Sequence, residues 1–60
     1  MKPQRCYLIC FTRWGYPCYR NHHDSKSDAL KTWRKMRDDG YAFSYHLFSE
    51  DKKHILKKGV

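Results

Sequence analysis

The chain has 60 residues, room for one small domain spanning 1–60 and not for a separate cofactor domain. Thirteen Lys and Arg against six Asp and Glu give a net charge of +7, with 40% hydrophobic and 17% aromatic residues. Such aromatic content excludes a disordered tail, and no apolar run approaches the roughly 20 residues of a membrane span.

Met1 to Arg5 precedes only a short apolar stretch, Cys6 to Phe11, and no small-residue cleavage site follows. With no leader expected and an odd count of three cysteines, the chain is expected in a reducing cytoplasm with its thiols free. A domain of this size buries only about 60% of the surface its unfolded chain exposes, so a dense core or a partner is needed. Most of the ten aromatic residues are expected to be packing.

Arg5 to Thr12 reads as a strand, rich in Tyr, Ile and Phe and bounded by Pro3 and Gly15. Arg13-Trp14-Gly15 reads as a three-residue hairpin loop with Gly15 at the left-handed position. The returning strand, Tyr16 to His22, then sets Thr12 opposite Tyr16, Cys10 opposite Cys18 and Cys6 opposite His22. Pro17 lacks an N–H, so this second strand must be an edge, and any third strand pairs with the first.

Asp24 to Asp39 reads as a helix. Asp24 or Ser25 can cap it, Ser25 forming a capping box with Asp28, and Ala29, Leu30, Trp33 and Met36 fall on one face. Gly40 supplies the terminating left-handed residue. Tyr41 to Phe48 reads as the third strand, with Tyr41, Phe43, Tyr45 and Leu47 toward the core by alternation. Ser49 to Val60 fits either a short helix or, after a turn at Glu50-Asp51-Lys52, a fourth strand from Lys53 to Lys57. The expected fold is α+β: a small antiparallel sheet in the order 2-1-3 with one helix on one face, ββαβ plus this C-terminal helix or strand.

The helix-covered face is expected to carry Tyr7, Ile9, Phe11, Tyr19, Phe43, Tyr45 and Leu47. The uncovered face would then carry Cys6, Leu8, Cys10, Cys18, Ser44, His46 and Phe48, too apolar to rest in water. A protein partner or a second copy of the chain covering Leu8, Cys10, Cys18, His46 and Phe48 is therefore expected.

Cys6, Cys10, Cys18, His22 and His23 are residue types that zinc favours. Along a strand, however, Cys6 and Cys10 lie about 13 Å apart, beyond one tetrahedral ion. Neither a metal nor any other cofactor is expected. A Cys–His pair, Cys6 with His22 or Cys10 with His46, would be the nearest approach to a nucleophile. A small open sheet offers little pocket to exclude water or hold an oxyanion, so no enzyme activity is expected.

Charge is distributed unevenly. The first 23 residues hold no acid, and the last nine hold Lys52, Lys53, Lys57 and Lys58. Cations that displace counterions and rings that stack on bases are what nucleic acid requires. The alternative expectation is thus a nucleic-acid surface of Arg13, Trp14, Tyr16 and Arg20 at the hairpin with Lys52, Lys53, Lys57 and Lys58 in the tail.

With its aromatic strand, its hairpin and the run Asp28-Ala29-Leu30-Lys31-Thr32-Trp33 through Gly40-Tyr41, the chain resembles short accessory proteins of temperate, lambda-like phages and prophages. The resemblance implies a bacterial host cytoplasm and an accessory role. It contains no diagnostic motif and assigns no site residue.

Overall fold

The computed structural model describes residues 4–59. Four strands and one helix follow in the order β1 (Cys6–Phe11), β2 (Pro17–His23), α1 (Lys26–Asp38), β3 (Ser44–Ser49) and β4 (Ile55–Gly59). They form an antiparallel sheet in the order β2-β1-β3-β4 with the helix packed on it. The edge position of β2 is the one Pro17 demands.

The local signals that close each element are present as hydrogen bonds. At the hairpin, Thr12 N–H donates to the Tyr16 carbonyl at 2.8 Å and Gly15, at φ +86°, donates to the Thr12 carbonyl at 3.0 Å. Ser25 caps α1, its hydroxyl accepting from the Asp28 amide at 3.1 Å. Gly40, at φ +82°, donates to the Arg37 carbonyl while Tyr41 donates to that of Met36, a double bond pattern that closes the helix end.

Beyond the hairpin tip the register departs from simple alternation. Phe11 pairs with Pro17 but Cys10 pairs with Tyr19, so Cys18 is an extra residue in a bulge. Cys6 consequently faces His23, not His22, and Cys10 faces Tyr19, not Cys18. A one-residue slip exchanges the faces of everything beyond it. Here it brings Tyr19 and His23 to the helix side.

The first strand also presents its faces the other way from expectation. Cys6, Leu8 and Cys10 are 0% exposed and form the core with Ala29, Trp33, Ala42, Tyr45 and Leu47. Tyr7, Ile9 and Phe11 lie on the opposite, open face and are half-buried. The pairing requires this: Leu8 stands opposite Leu47 and Cys10 opposite Tyr45, and paired residues share a face. The Trp33 ring, 3% exposed, packs on that of Tyr45 at 4.7 Å, tilted by 39°, over the side of β1 that carries Cys6, Leu8 and Cys10.

Tyr41 and Phe43 precede β3 and are exposed, while Ala42 between them enters the core. Their expected place on the core face is therefore corrected, whereas that of Tyr45 and Leu47 holds. The C-terminal alternatives resolve to a strand, which runs Ile55–Gly59 and not from Lys53 to Lys57 because the turn extends through His54. Lys52, at φ +65°, turns the chain, and Ser49 N–H takes the His54 carbonyl at 2.8 Å. Asp51 braces the turn by bonding the Ser49 hydroxyl and accepting from the Lys53 amide, which together hold its carboxyl below the usual range. Among the described residues no helix is long and apolar enough to cross a membrane.

Candidate nucleic-acid interface

The open face of the sheet is ordered in rows by the strand register. One row runs His22, Tyr7, Phe48 and Ile55 across β2, β1, β3 and β4. The next runs Arg20, Ile9, His46 and Lys58, and a third holds Pro17, Phe11 and Ser44. Tyr7, Phe11, His46 and Phe48 thus lie on the two inner strands, and the outer strands add the His22 ring and the cations Arg20 and Lys58. The rings touch: Tyr7 and His22 centroids are 4.7 Å apart, Phe11 and His46 4.9 Å, His46 and Phe48 6.0 Å. The turn between β3 and β4 adds a third cation, with Lys52 Nζ 4.3 Å from the centre of the Tyr7 ring.

No strand carries a carboxylate. Asp24, Asp28, Asp38, Asp39, Glu50 and Asp51 all lie in the helix, at its ends or in the β3–β4 turn. Several are already engaged. Asp28 bonds His23, Asp38 bonds Arg37, and Asp24 and Glu50 flank Arg5 at 3.8 and 3.6 Å.

The residues expected to bind divide among several places. Arg20, Lys52 and Lys58 reach the open face, whereas Lys57 pairs in register with Leu47, which points to the helix side. Lys53 lies exposed in the β3–β4 turn. Arg13, Trp14 and Tyr16 form the exposed hairpin tip, with the Arg13 guanidinium 6.0 Å from the Trp14 ring centre. His46 and Phe48 are on the open face, but Leu8 and Cys10 are buried under the helix and cannot meet a partner there. Cys18 is exposed at the bulge, its Sγ 3.5 Å from the carbonyls of Cys10 and Tyr41. Sequence reasoning missed Tyr7, Ile9 and Phe11 as members of the open face, because both faces of β1 are apolar and alternation alone does not choose between them.

A second polar constellation lies on the helix side. His23 is buried, its Nδ1 2.6 Å from Asp28 and its Nε2 2.8 Å from the Tyr19 hydroxyl. With the proton on Nδ1, His23 donates to Asp28 and accepts from Tyr19. The order Asp–His–hydroxyl is that of a proton relay. Burial pushes the Tyr19 phenol up, away from an activated nucleophile. The three side chains fasten β2 to the start of α1. Neither expected Cys–His pair forms: Cys6 is paired with His23 and not His22, and Cys10 and His46 point to opposite faces. Among the described residues no three His, Cys, Asp or Glu side chains cluster closely enough to hold a metal ion.

All three cysteines are free thiols. Burial pushes Cys10 up to about 11, with the neighbouring Cys18 adding to the rise, and burial raises Cys6 as well. A colorimetric disulfide reagent at pH 8 should therefore titrate one fast thiol in the folded protein, Cys18, and all three in urea. The linkage sign follows from the raised value. Cys10 contributes stability that is intact below its unfolded value of 9.0 and is lost as pH climbs through about 11. Three fast thiols in folded protein would contradict the burial of β1.

Comparison with protein-family models, with curated proteins and with solved structures found no match.

Proposed function

We propose that this protein binds single-stranded nucleic acid across the open face of its sheet, as a non-enzymatic accessory protein of the cytoplasm. The observation that carries the reading is the pattern of that face. Tyr7, Phe11, His46 and Phe48 are held between Arg20 and Lys58, on a sheet whose strands contain no acid. Bases stack on rings irrespective of sequence, and flanking cations follow the phosphates. Duplex bases have both faces already stacked, so ring contacts on this face favour an unpaired strand.

Anisotropy of labelled oligothymidine and of a duplex, at low and moderate salt, tests this. The single strand should bind in the micromolar range at low salt and weaken as salt rises. Arg20→Ala and Lys58→Ala should each flatten the slope of log affinity against log salt by roughly 0.7, the value per single-strand phosphate. Phe48→Ala should weaken binding by about 1–3 kcal/mol at either salt. Absence of binding at low salt with tens of micromolar protein removes the reading.

A second reading, docking of a protein partner or second copy on this face, is favoured by one observation. Ile55 is 53% exposed beside Phe48, leaving an apolar corner on β4. It differs from the sequence expectation in its residues, because Leu8 and Cys10 are not available. Sedimentation at two concentrations distinguishes it. Self-association lost in Phe48→Asp, without any binding of oligonucleotide, would favour docking.

A further inference from the structure

One end of the molecule carries an open cleft of about 690 Å³ that the sheet-face reading does not use. It lies between the β1–β2 hairpin and the segment joining α1 to β3, lined by Thr12, Arg13, Trp14, Arg37, Tyr41 and Phe43 with the backbone of Gly40 and Ala42. Trp14, Tyr41 and Phe43 are 75%, 69% and 56% exposed, the three largest ring surfaces left in water on this wall. Their burial by a ligand is favourable in proportion to the apolar area covered.

The charge of the cleft narrows the ligand. Arg13 and Arg37 contribute two guanidiniums, and no lining residue is acidic. Arg37 meets Asp38 through Nε and Nη2, each at 3.2 Å, an engagement that does not use Nη1. At the end of α1 the Lys35, Arg37 and Met36 carbonyls accept from Asp39, Gly40 and Tyr41, so these three add no free negative dipole end. A flat ring bearing a negative group fits these walls: the ring against Trp14, Tyr41 or Phe43, the anion toward a guanidinium.

The backbone says how selective such a site is. The amides of Gly40, Tyr41, Ala42 and Phe43 donate to Arg37, Met36, Met36 and Phe11 carbonyls. These four donors are thus spent inside the protein and cannot read a base edge. Recognition there is left to the side chains, chiefly ring faces and guanidiniums.

We propose that this cleft binds one unpaired nucleotide, base stacked and phosphate on Arg13 or Arg37, without choosing among bases. It rests on the strand-binding reading for the source of that nucleotide, an unpaired unit of the strand on the open face.

Trp14 is the exposed tryptophan and Trp33 the buried one, so fluorescence quenching reports on the cleft. The probes are adenosine and cytidine 5′-monophosphates and the phosphate-free adenosine, with labelled oligothymidine measured in parallel. Both monophosphates should quench with affinities within a few-fold of each other, and adenosine should bind several-fold more weakly. Trp14→Ala should weaken oligothymidine by about 5- to 150-fold, with circular dichroism unchanged because the side chain is exposed.

The arms fail separately. Oligothymidine that binds wild type and Trp14→Ala equally, with no quenching by monophosphates, overturns the cleft and leaves the sheet face standing. Quenching by monophosphates without oligothymidine binding upholds the nucleotide cleft and removes the strand-binding reading. An acidic, aromatic-free peptide that quenches Trp14 more strongly than the monophosphates overturns the nucleotide assignment in favour of a protein ligand.

Discussion

Replacing Trp33 with alanine should lower the free energy of unfolding by about 3–5 kcal/mol, the range for a buried aromatic removed from a core. The ring is 3% exposed, packs on Tyr45 at 4.7 Å and carries the Arg37 guanidinium 6.0 Å from its centre. It is also the largest side chain that α1 commits to the core, where Ala29 is its one other buried contribution. A domain of 60 residues has roughly 3–9 kcal/mol in total, at typical stability per residue. The variant should therefore be largely unfolded, or unfold at far lower urea, by circular dichroism. A melt matching the parent would mean that the helix does not sit on Cys6, Leu8 and Cys10.

Adjacent positions in β1 provide the second large contrast. Leu8 is 0% exposed and faces Leu47 beneath the helix, whereas Ile9 is half-buried on the open face between Arg20 and His46. Leu8→Ala should cost about 2–5 kcal/mol, as a cavity forms under α1. Ile9→Ala removes only partly buried surface and should cost about 1 kcal/mol. Urea titrations of both variants measure the difference directly. If Ile9→Ala proves the more damaging, the faces of β1 are exchanged and the open aromatic surface loses Tyr7 and Phe11. The same pair separates folding from binding. Oligonucleotide affinity should change with Ile9→Ala, and with Leu8→Ala only through the population that stays folded.

The two faces of the sheet divide the work between stability and contact. Cys6, Leu8 and Cys10 pack beneath Trp33 and Tyr45, which places Tyr7, Ile9 and Phe11 on the open side. Apolar material that another arrangement would spend on the core is thereby available to a ligand. The bulge at Cys18 has a related effect. It takes His23 to Asp28 on the helix side and leaves Arg20 and His22 in the rows of the open face.

What the sequence determines by itself is local. Ser25, the spacing of Ala29, Leu30, Trp33 and Met36, and Gly40 specify α1, because capping bonds and a 3.6-residue period act within a few residues. Gly15 specifies the hairpin tip, and Pro17 specifies an edge strand by the hydrogen bond it cannot donate. The cations and rings of the candidate surface are likewise legible as composition, but not as an arrangement. Their facing depends on contacts between distant residues. Both sides of β1 are apolar, so only the meeting of Leu8 with Leu47 and Cys10 with Tyr45, under the volume of Trp33, decides which side turns inward. Ser49 to Gly59 has caps suited to a helix, yet β3 offers it an unpaired edge, and the ladder from Tyr45–Gly59 to Phe48–Ile55 satisfies backbone groups that an isolated short helix would leave to water. The slip at Cys18 has no signal in the local sequence. In the packed structure it sets His23 on the helix side, within bonding distance of Asp28 and Tyr19.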